Sequence, residues 1–367
     1  MKKRSVIFVF VLILIATVIF VYLNPTVLAA QAADSDLRPL LGDKDTITLE
    51  SLYFNLSDDI NKIIYRYITP NTDIFYSSAG SPADSHEMTN LVPVILRNNV
   101  FPLPFEGVWK TINNPLFPEY TVLAKTFVRP DPSRPYAVVS FVKMDMSKLG
   151  IRVQAGTYYP GGTHGVYGPG VIPQNIQQSN ILVAAFNGGF MEKDGHYGMV
   201  VNHKVYVPLR NSLATLVMYS DGSVKMVDYQ GQPLGANVVG IRQNGAFLVR
   251  NGVITSFAEN SQDSWGRTIT NSMYTWRSGI GITKNGNLIY AAGNSLTPQT
   301  LAVALEKAGV VDAMQLDINP PWVRFIIYDP LGNGNYSFYP LLKAMKDGGY
   351  AYLHGYNKDF FYVYKKT

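Results

Sequence analysis

The chain opens with eighteen consecutive uncharged, mostly apolar residues, Val6 to Leu23, directly behind Lys2, Lys3 and Arg4. At about 1.5 Å per residue, such a helix is long enough to cross a bilayer. The basic cluster predicts that its first end stays cytoplasmic and that everything after Leu23 lies on the far side. Residues 1–24 are therefore expected to be a transmembrane anchor or uncleaved signal. Ala30-Gln31-Ala32 also fits a signal-peptide cleavage pattern, which would give a secreted chain instead. Residues 25–46, polar and rich in Ala, Gln and Pro, read as a tether. In 47–119 the helical spacing of Ile60, Ile63, Ile64 and Tyr67 predicts a helix from Ser57, ended by Thr69-Pro70. The rest of that region reads as irregular, with a short apolar run from Leu91 to Leu96.

From residue 120 the pattern changes to strands, and 120–367 is expected to form one domain. Thr121–Val128 and Tyr136–Met144 read as strands around a proline-rich turn, and Ile181–Phe186 as a buried strand. Asp221-Gly222, Asn251-Gly252 and Asn285-Gly286 each separate two apolar runs. These dipeptides tolerate the positive φ angles of tight hairpin turns, so they predict antiparallel pairing. The second arm of the Asn251-Gly252 hairpin is expected to be Val253–Phe257. Thr297, Pro298 and Gly309 bracket a helix with an apolar stripe of Leu301, Leu305 and Ala308. Val310–Leu316 then reads as a buried strand ending at Asp317. The fold class expected is α+β: a mostly antiparallel, curved β-sheet core with a few flanking helices, preceded by one transmembrane helix.

Composition narrows the function. An apolar content of 47% is too high for disorder, and 24 Tyr with 18 Phe favour strands. The net charge of +5 falls to about +2 without the N-terminal basic cluster, since 28 basic residues then face 26 acidic ones. That is too small to indicate nucleic-acid binding. The chain has no cysteine, which excludes disulfides and thiolate metal sites. His164, His196, His203 and His354 lack helical ligand spacing, so no metal site is indicated, and no cofactor is expected.

Four stretches carry candidate chemistry. Asn187-Gly188-Gly189-Phe190 follows a buried strand. Its glycines permit close approach of backbone to a ligand, or simply a tight turn. Glu192, Asp194 and His196 stand nearby. Arg277, entering a strand beside Ser278 and Gly279, could grip a phosphate or be an ordinary flanking arginine. Asp317 ends an apolar strand, where a carboxylate is either paired or functional. Asn319 and Trp322 follow it, and Trp322 could stack on a sugar or fill the core. The Gly-, Pro- and Tyr-rich stretch 150–170 suits a functional loop, and Gly161-Gly162-Thr163-His164 within it is a weak motif on its own.

Taken in order, these pieces resemble the phosphodiester glycosidase family. Asn187-Gly188-Gly189-Phe190 is similar to its N-G-G-F motif, and Phe247 to Gly252 to its L-I-R-N-G hairpin. Arg277 to Gly281 is similar to its R-T-A-I-G motif, and Thr297 to Leu316 to the helix and strand leading to its L-D-G-G-G-S motif. The resemblance runs from residue 120 to the C-terminus. At the last motif the chain departs, with Asp317-Ile318-Asn319-Pro320-Pro321-Trp322 in place of Asp-Gly-Gly-Gly-Ser. The resemblance implies a hydrolase acting on a glycan or glycosyl-phosphate substrate, which the N-terminal segment would place outside the cytosol. Arg277 and the Gly188 and Gly189 amides would then hold phosphate. Asp317 would be base, nucleophile or charge stabiliser, and Asn187 and His196 would orient hydroxyls or water. Asn319 and Trp322 would contact the sugar. Two other readings stand beside it: a non-catalytic carbohydrate- or envelope-binding protein on the same fold, and a structural subunit of an envelope assembly.

Overall fold

The computed structural model describes residues 56, 58–65, 67, 91–96, 103–260, 274–345 and 348–366. The apolar run Val6–Leu23 and the tether lie outside these residues. Among the described residues, no helix is long and apolar enough to cross a membrane.

Among the described residues eighteen strands form three sheets, and every ladder is antiparallel. With strands numbered along the chain, the largest sheet has eight: β1 (Lys110–Ile112), β2 (Leu123–Val128), β3 (Val139–Met144), β14 (Leu288–Leu296), β13 (Thr275–Thr283), β15 (Val310–Ile318), β11 (Phe247–Arg250) and β12 (Val253–Ile254), in that spatial order. The second runs β7 (Lys204–Val207), β6 (Met199–Val201), β10 (Val238–Gln243), β8 (Leu213–Tyr219), β9 (Val224–Tyr229). The third runs β17 (Asn335–Pro340), β16 (Phe325–Gly332), β5 (Leu182–Asn187), β18 (Phe360–Lys365), β4 (Leu149–Gln154). Among the described residues after 103, four short α-helices flank them: α1 (Gln174–Gln178), α2 (Ser256–Asn260), α3 (Pro298–Lys307) and α4 (Gly349–His354). The mostly antiparallel, sheet-rich α+β architecture is the one the hairpin signals predict.

The inner faces of the three sheets share one core. At its centre Phe186 stacks on Phe325 and Phe361, with ring centroids 5.5 and 5.2 Å away. Each fully buried aromatic of this kind stabilises the fold by about 2–3 kcal/mol through area removed from water. A second core lies between the other face of the large sheet and α3. Thr297 caps this helix: its hydroxyl accepts from the Thr300 amide while Thr300 bonds back to the Thr297 amide. Gly279 and Gly281 let α3 and its connection lie close, because a Cβ on Gly279 would meet the Leu305 side chain at 3.2 Å. The small residues beside Arg277 thus serve packing.

Three expectations need adjustment. The strand expected at Val253–Phe257 pairs only over β12. The Thr255 hydroxyl donates to the Phe247 carbonyl and turns the chain into α2. Tyr136 forms part of a turn, and the strand starts at Val139. The boundary expected at residue 120 is crossed by β1, which pairs with β2 in the large sheet. A helix does stand at 58–64, but Ile63 on its apolar stripe is 60% exposed. That helix is held by polar contacts instead, its Asp58 meeting Arg134 and the Tyr136 hydroxyl.

Candidate functional site

Asp317 stands one residue before the end of β15, where the large sheet meets the third sheet: its amide donates to the Gly188 carbonyl at 3.0 Å. Its carboxylate is buried. One oxygen accepts from the Ile318 amide at 2.9 Å, and the other pairs with the Lys358 ammonium. Burial pushes the Asp317 carboxyl up to about 6, against the opposing pull of Lys358. The Lys358 ammonium lies 4.6 Å from the Trp322 ring centroid. A buried acid of shifted pKa, a cation and an indole therefore share one place. Lys358 was not singled out from the sequence. Its only signal is Lys358-Asp359, a charged pair directly before the apolar strand β18.

The remaining motif residues are engaged in holding the fold. The Asn187 side chain donates to the Gly188 carbonyl and the Ser278 hydroxyl, and accepts from the Tyr290 hydroxyl and the Arg324 amide. It joins β5 to β13 and β14, and its hydrogen bonds leave it little capacity for orienting water. The Gly188 and Gly189 amides, expected to face phosphate, donate instead to the Asp359 carbonyl and carboxylate at 3.1 Å. Glycine is required because a Cβ on Gly188 would stand 2.0 Å from Asp359 Oδ2. Asp359 in turn receives a forked pair from Arg242 at 2.8 and 3.2 Å, both side chains fully buried. Arg242 also donates to the Phe190 carbonyl, and Asn244 accepts from the Phe190 amide. Arg242 and Asn244, polar residues in and directly after a buried strand, are the sequence signal for this lock.

Arg277 does not join Asp317. Its guanidinium donates to the Leu296 carbonyl at 2.9 Å and the Gln315 side chain at 3.1 Å. This places it toward the start of α3, and burial pushes it down to about 9, still charged at neutral pH. The alternation of β13 accounts for this: Ser278 faces Asn187, so Arg277 before it faces the opposite side. Asn319 sits in a tight turn at φ 75°, its side chain accepting from the Thr275 hydroxyl. Ile318 packs with Phe190 and Tyr197.

His196 lies in a separate cluster. It contacts the buried Glu192 carboxylate, whose same oxygen is 3.3 Å from His164 Nε2 and whose other oxygen accepts from the Thr163 hydroxyl. Burial would raise Glu192, but the hydrogen bonds from Thr163, His196 and His164 outweigh it and hold the carboxyl below its ordinary value. Of the candidate site residues, the structure brings Asp317 and Trp322 together around Lys358 and links Asn187 to the Asp317 carbonyl through the Ser278 hydroxyl, while Arg277 and His196 bond to other partners. A cavity of about 370 Å³ lined by Phe117, Tyr120, Lys148, Lys365 and Lys366 lies at the far end of β18 from Lys358.

Residues 180–317 match the phosphodiester glycosidase family model, the family the motifs resemble. That span reaches from the start of β5 to Asp317. No curated protein matches the chain. Among solved structures, the catalytic domain of zebrafish N-acetylglucosamine-1-phosphodiester alpha-N-acetylglucosaminidase, auto-inhibited by its pro-peptide, aligns at 17% identity over 79% of this chain and 96% of that one, with a TM-score of 0.43. A hypothetical protein from Synechocystis aligns at 13% identity over 66% and 62%, with a TM-score of 0.34.

Proposed function

We propose that the chain hydrolyses glycosyl phosphodiesters, with Asp317 as the general base and Lys358 as the phosphate-binding cation. The observation that carries this reading is the buried Asp317–Lys358 pair beside Trp322, at the end of the segment that matches the phosphodiester glycosidase family. A phosphate monoester leaves as a stable anion and needs little protonation. One carboxylate to activate water and one cation to hold the anion then suffice, and an oxocarbenium-like transition state gains from the same negative charge. An incoming phosphodiester would take Lys358, releasing Asp317 to accept a proton from water. A carboxyl near 6 is matched to that task.

Sugar release from the 1-(methyl phosphate) esters of glucose and N-acetylglucosamine tests the assignment. Asp317→Asn is expected to cost roughly 10²–10⁴-fold in kcat, with a circular dichroism spectrum like the wild type. An unchanged rate in that variant would remove Asp317 from the mechanism.

A second reading, a non-catalytic carbohydrate- or envelope-binding protein, is favoured by one specific observation. Asp317 and Lys358 are only 4% and 2% exposed, and Ile318 and two prolines stand where the family has small residues. Absence of turnover by the wild type on both esters is the result that reading expects.

We also read the site as lying outside the cytosol on a membrane anchor, supported by Lys2, Lys3, Arg4 and the run Val6–Leu23. The full chain should stay in the membrane pellet after alkaline carbonate washing. Complete release into the supernatant would count against an anchor.

A further inference from the structure

The stretch 156–170 and the Glu192 cluster are not used by the chemistry above, and the first residues of that stretch pack on the segment that carries Lys358. The Thr157 amide donates to the Tyr356 carbonyl, and the Tyr158 and Tyr159 amides both donate to the Asn357 carbonyl, one residue before Lys358. A Cβ on Gly156 would fall 2.5 Å from the Lys358 carbonyl carbon, so the loop lies directly on that segment. Gly168 and Gly170 bond back to Gly156 and Ala155, closing the loop on its own base. Backbone hydrogen bonds therefore tie both ends of the loop together.

This loop presents aromatic rings outward. Tyr158 is 40% exposed and Tyr167 54%, with ring centroids 6.0 Å apart. Tyr158 lies flat on Gly162, where a Cβ would be 2.8–3.0 Å from three of its ring atoms. Tyr159 packs edge-on against Tyr158 at 4.7 Å. From the same loop Thr163 and His164 reach Glu192, which also holds His196. Glu192 is buried, while His164 and His196 are 52% and 67% exposed at their side chains. The carboxylate thus orients two imidazole edges that solvent reaches.

We propose that Tyr158 and Tyr167, together with His164, Glu192 and His196, form a subsite for an uncharged pyranose unit of a glycan, on the loop whose base packs against the Asn357-Lys358 segment. A pyranose offers a C–H face that packs on an aromatic ring and a rim of hydroxyls that need fixed polar partners. Both are present here, on a loop whose ends are joined by backbone hydrogen bonds. The Glu192 charge disfavours an anion at this point and leaves the phosphate to Lys358. The sugar class rests on the glycosyl phosphodiester reading; the subsite itself binds without any bond being broken.

Isothermal titration of the full-length wild-type chain with maltotriose and with triacetylchitotriose tests the subsite, because neither probe contains a phosphodiester. At least one should bind. Tyr158→Ala and Tyr167→Ala should each weaken that binding about tenfold, the size of a lost aromatic stacking contact. Tyr158→Phe, which keeps the ring, should bind like the wild type. Failure of both sugars to bind the wild type overturns the subsite, as does equal affinity in both alanine variants. Binding of either sugar by a protein that turns over no phosphodiester would sink the hydrolase reading and leave the subsite standing.

Discussion

At the residue scale, Asp317 is buried against Lys358 with Trp322 beside them. Its position follows from local pattern, since β15 is apolar up to Leu316 and the carboxylate comes at its end. Its pKa follows from burial, which no local pattern specifies. The shift makes a stability prediction with a definite sign. The folded-state value of about 6 lies above the ordinary 3.8, so the folded state favours the protonated carboxyl. Below about pH 4 the group is protonated in both states and costs nothing. Between about 4 and 6 the unfolded chain ionises first, and this contribution to stability is lost as pH rises. Urea unfolding of the wild type and Asp317→Asn at pH 4, 5, 6 and 7 measures it. The wild type should lose stability relative to the variant as pH increases over that window. A constant difference would mean that Asp317 titrates alike folded and unfolded.

At the scale of elements, α3 shows how much a short segment can fix by itself. Thr297, Pro298 and Gly309 mark its ends, and the capping box is formed as those residues require. Thr297→Ala should lower stability by about 1 kcal/mol, read as a shift of the urea midpoint with an unchanged slope. Thr297→Ser should restore most of it. The hairpins behave likewise at Asp221-Gly222 and Asn285-Gly286, where local turn chemistry and antiparallel pairing agree. At Asn251-Gly252 the turn forms, but the second arm ends after two paired residues. Thr255 there finds a backbone carbonyl on β11, a partner that no reading along Val253–Phe257 can supply.

At the scale of the whole molecule, the Arg242–Asp359 pair ties the second sheet to the third and clamps the Gly188-Gly189 turn between them. Removing one member of such a buried pair leaves an uncompensated charge. Arg242→Met should therefore cost about 3–5 kcal/mol, and Arg242→Met with Asp359→Leu much less than the sum of the two single changes. Hydrogen exchange should show lost protection in both β10 and β18 for the single variant. Loss confined to β10 would mean the pair does not join the sheets.

The order of residues settles the local pieces: antiparallel hairpins where turn residues permit positive φ, a capped helix, and a carboxylate at the end of a buried strand. These are decided within a few residues by backbone sterics and side-chain alternation. It also determined that polar residues inside apolar strands must find partners. Which partners they find is set by the packing of the sheets: Lys358 for Asp317, Asp359 for Arg242, and Ser278, Tyr290 and Arg324 for Asn187. Those pairings join segments from 41 to 137 residues apart, and so depend on how three sheets are laid against one another. For the same reason the glycine amides and Arg277, which a linear reading assigns to phosphate, are engaged elsewhere. A charged or polar group taken out of water bonds to the nearest complementary atom in space, and sequence distance has no part in that choice.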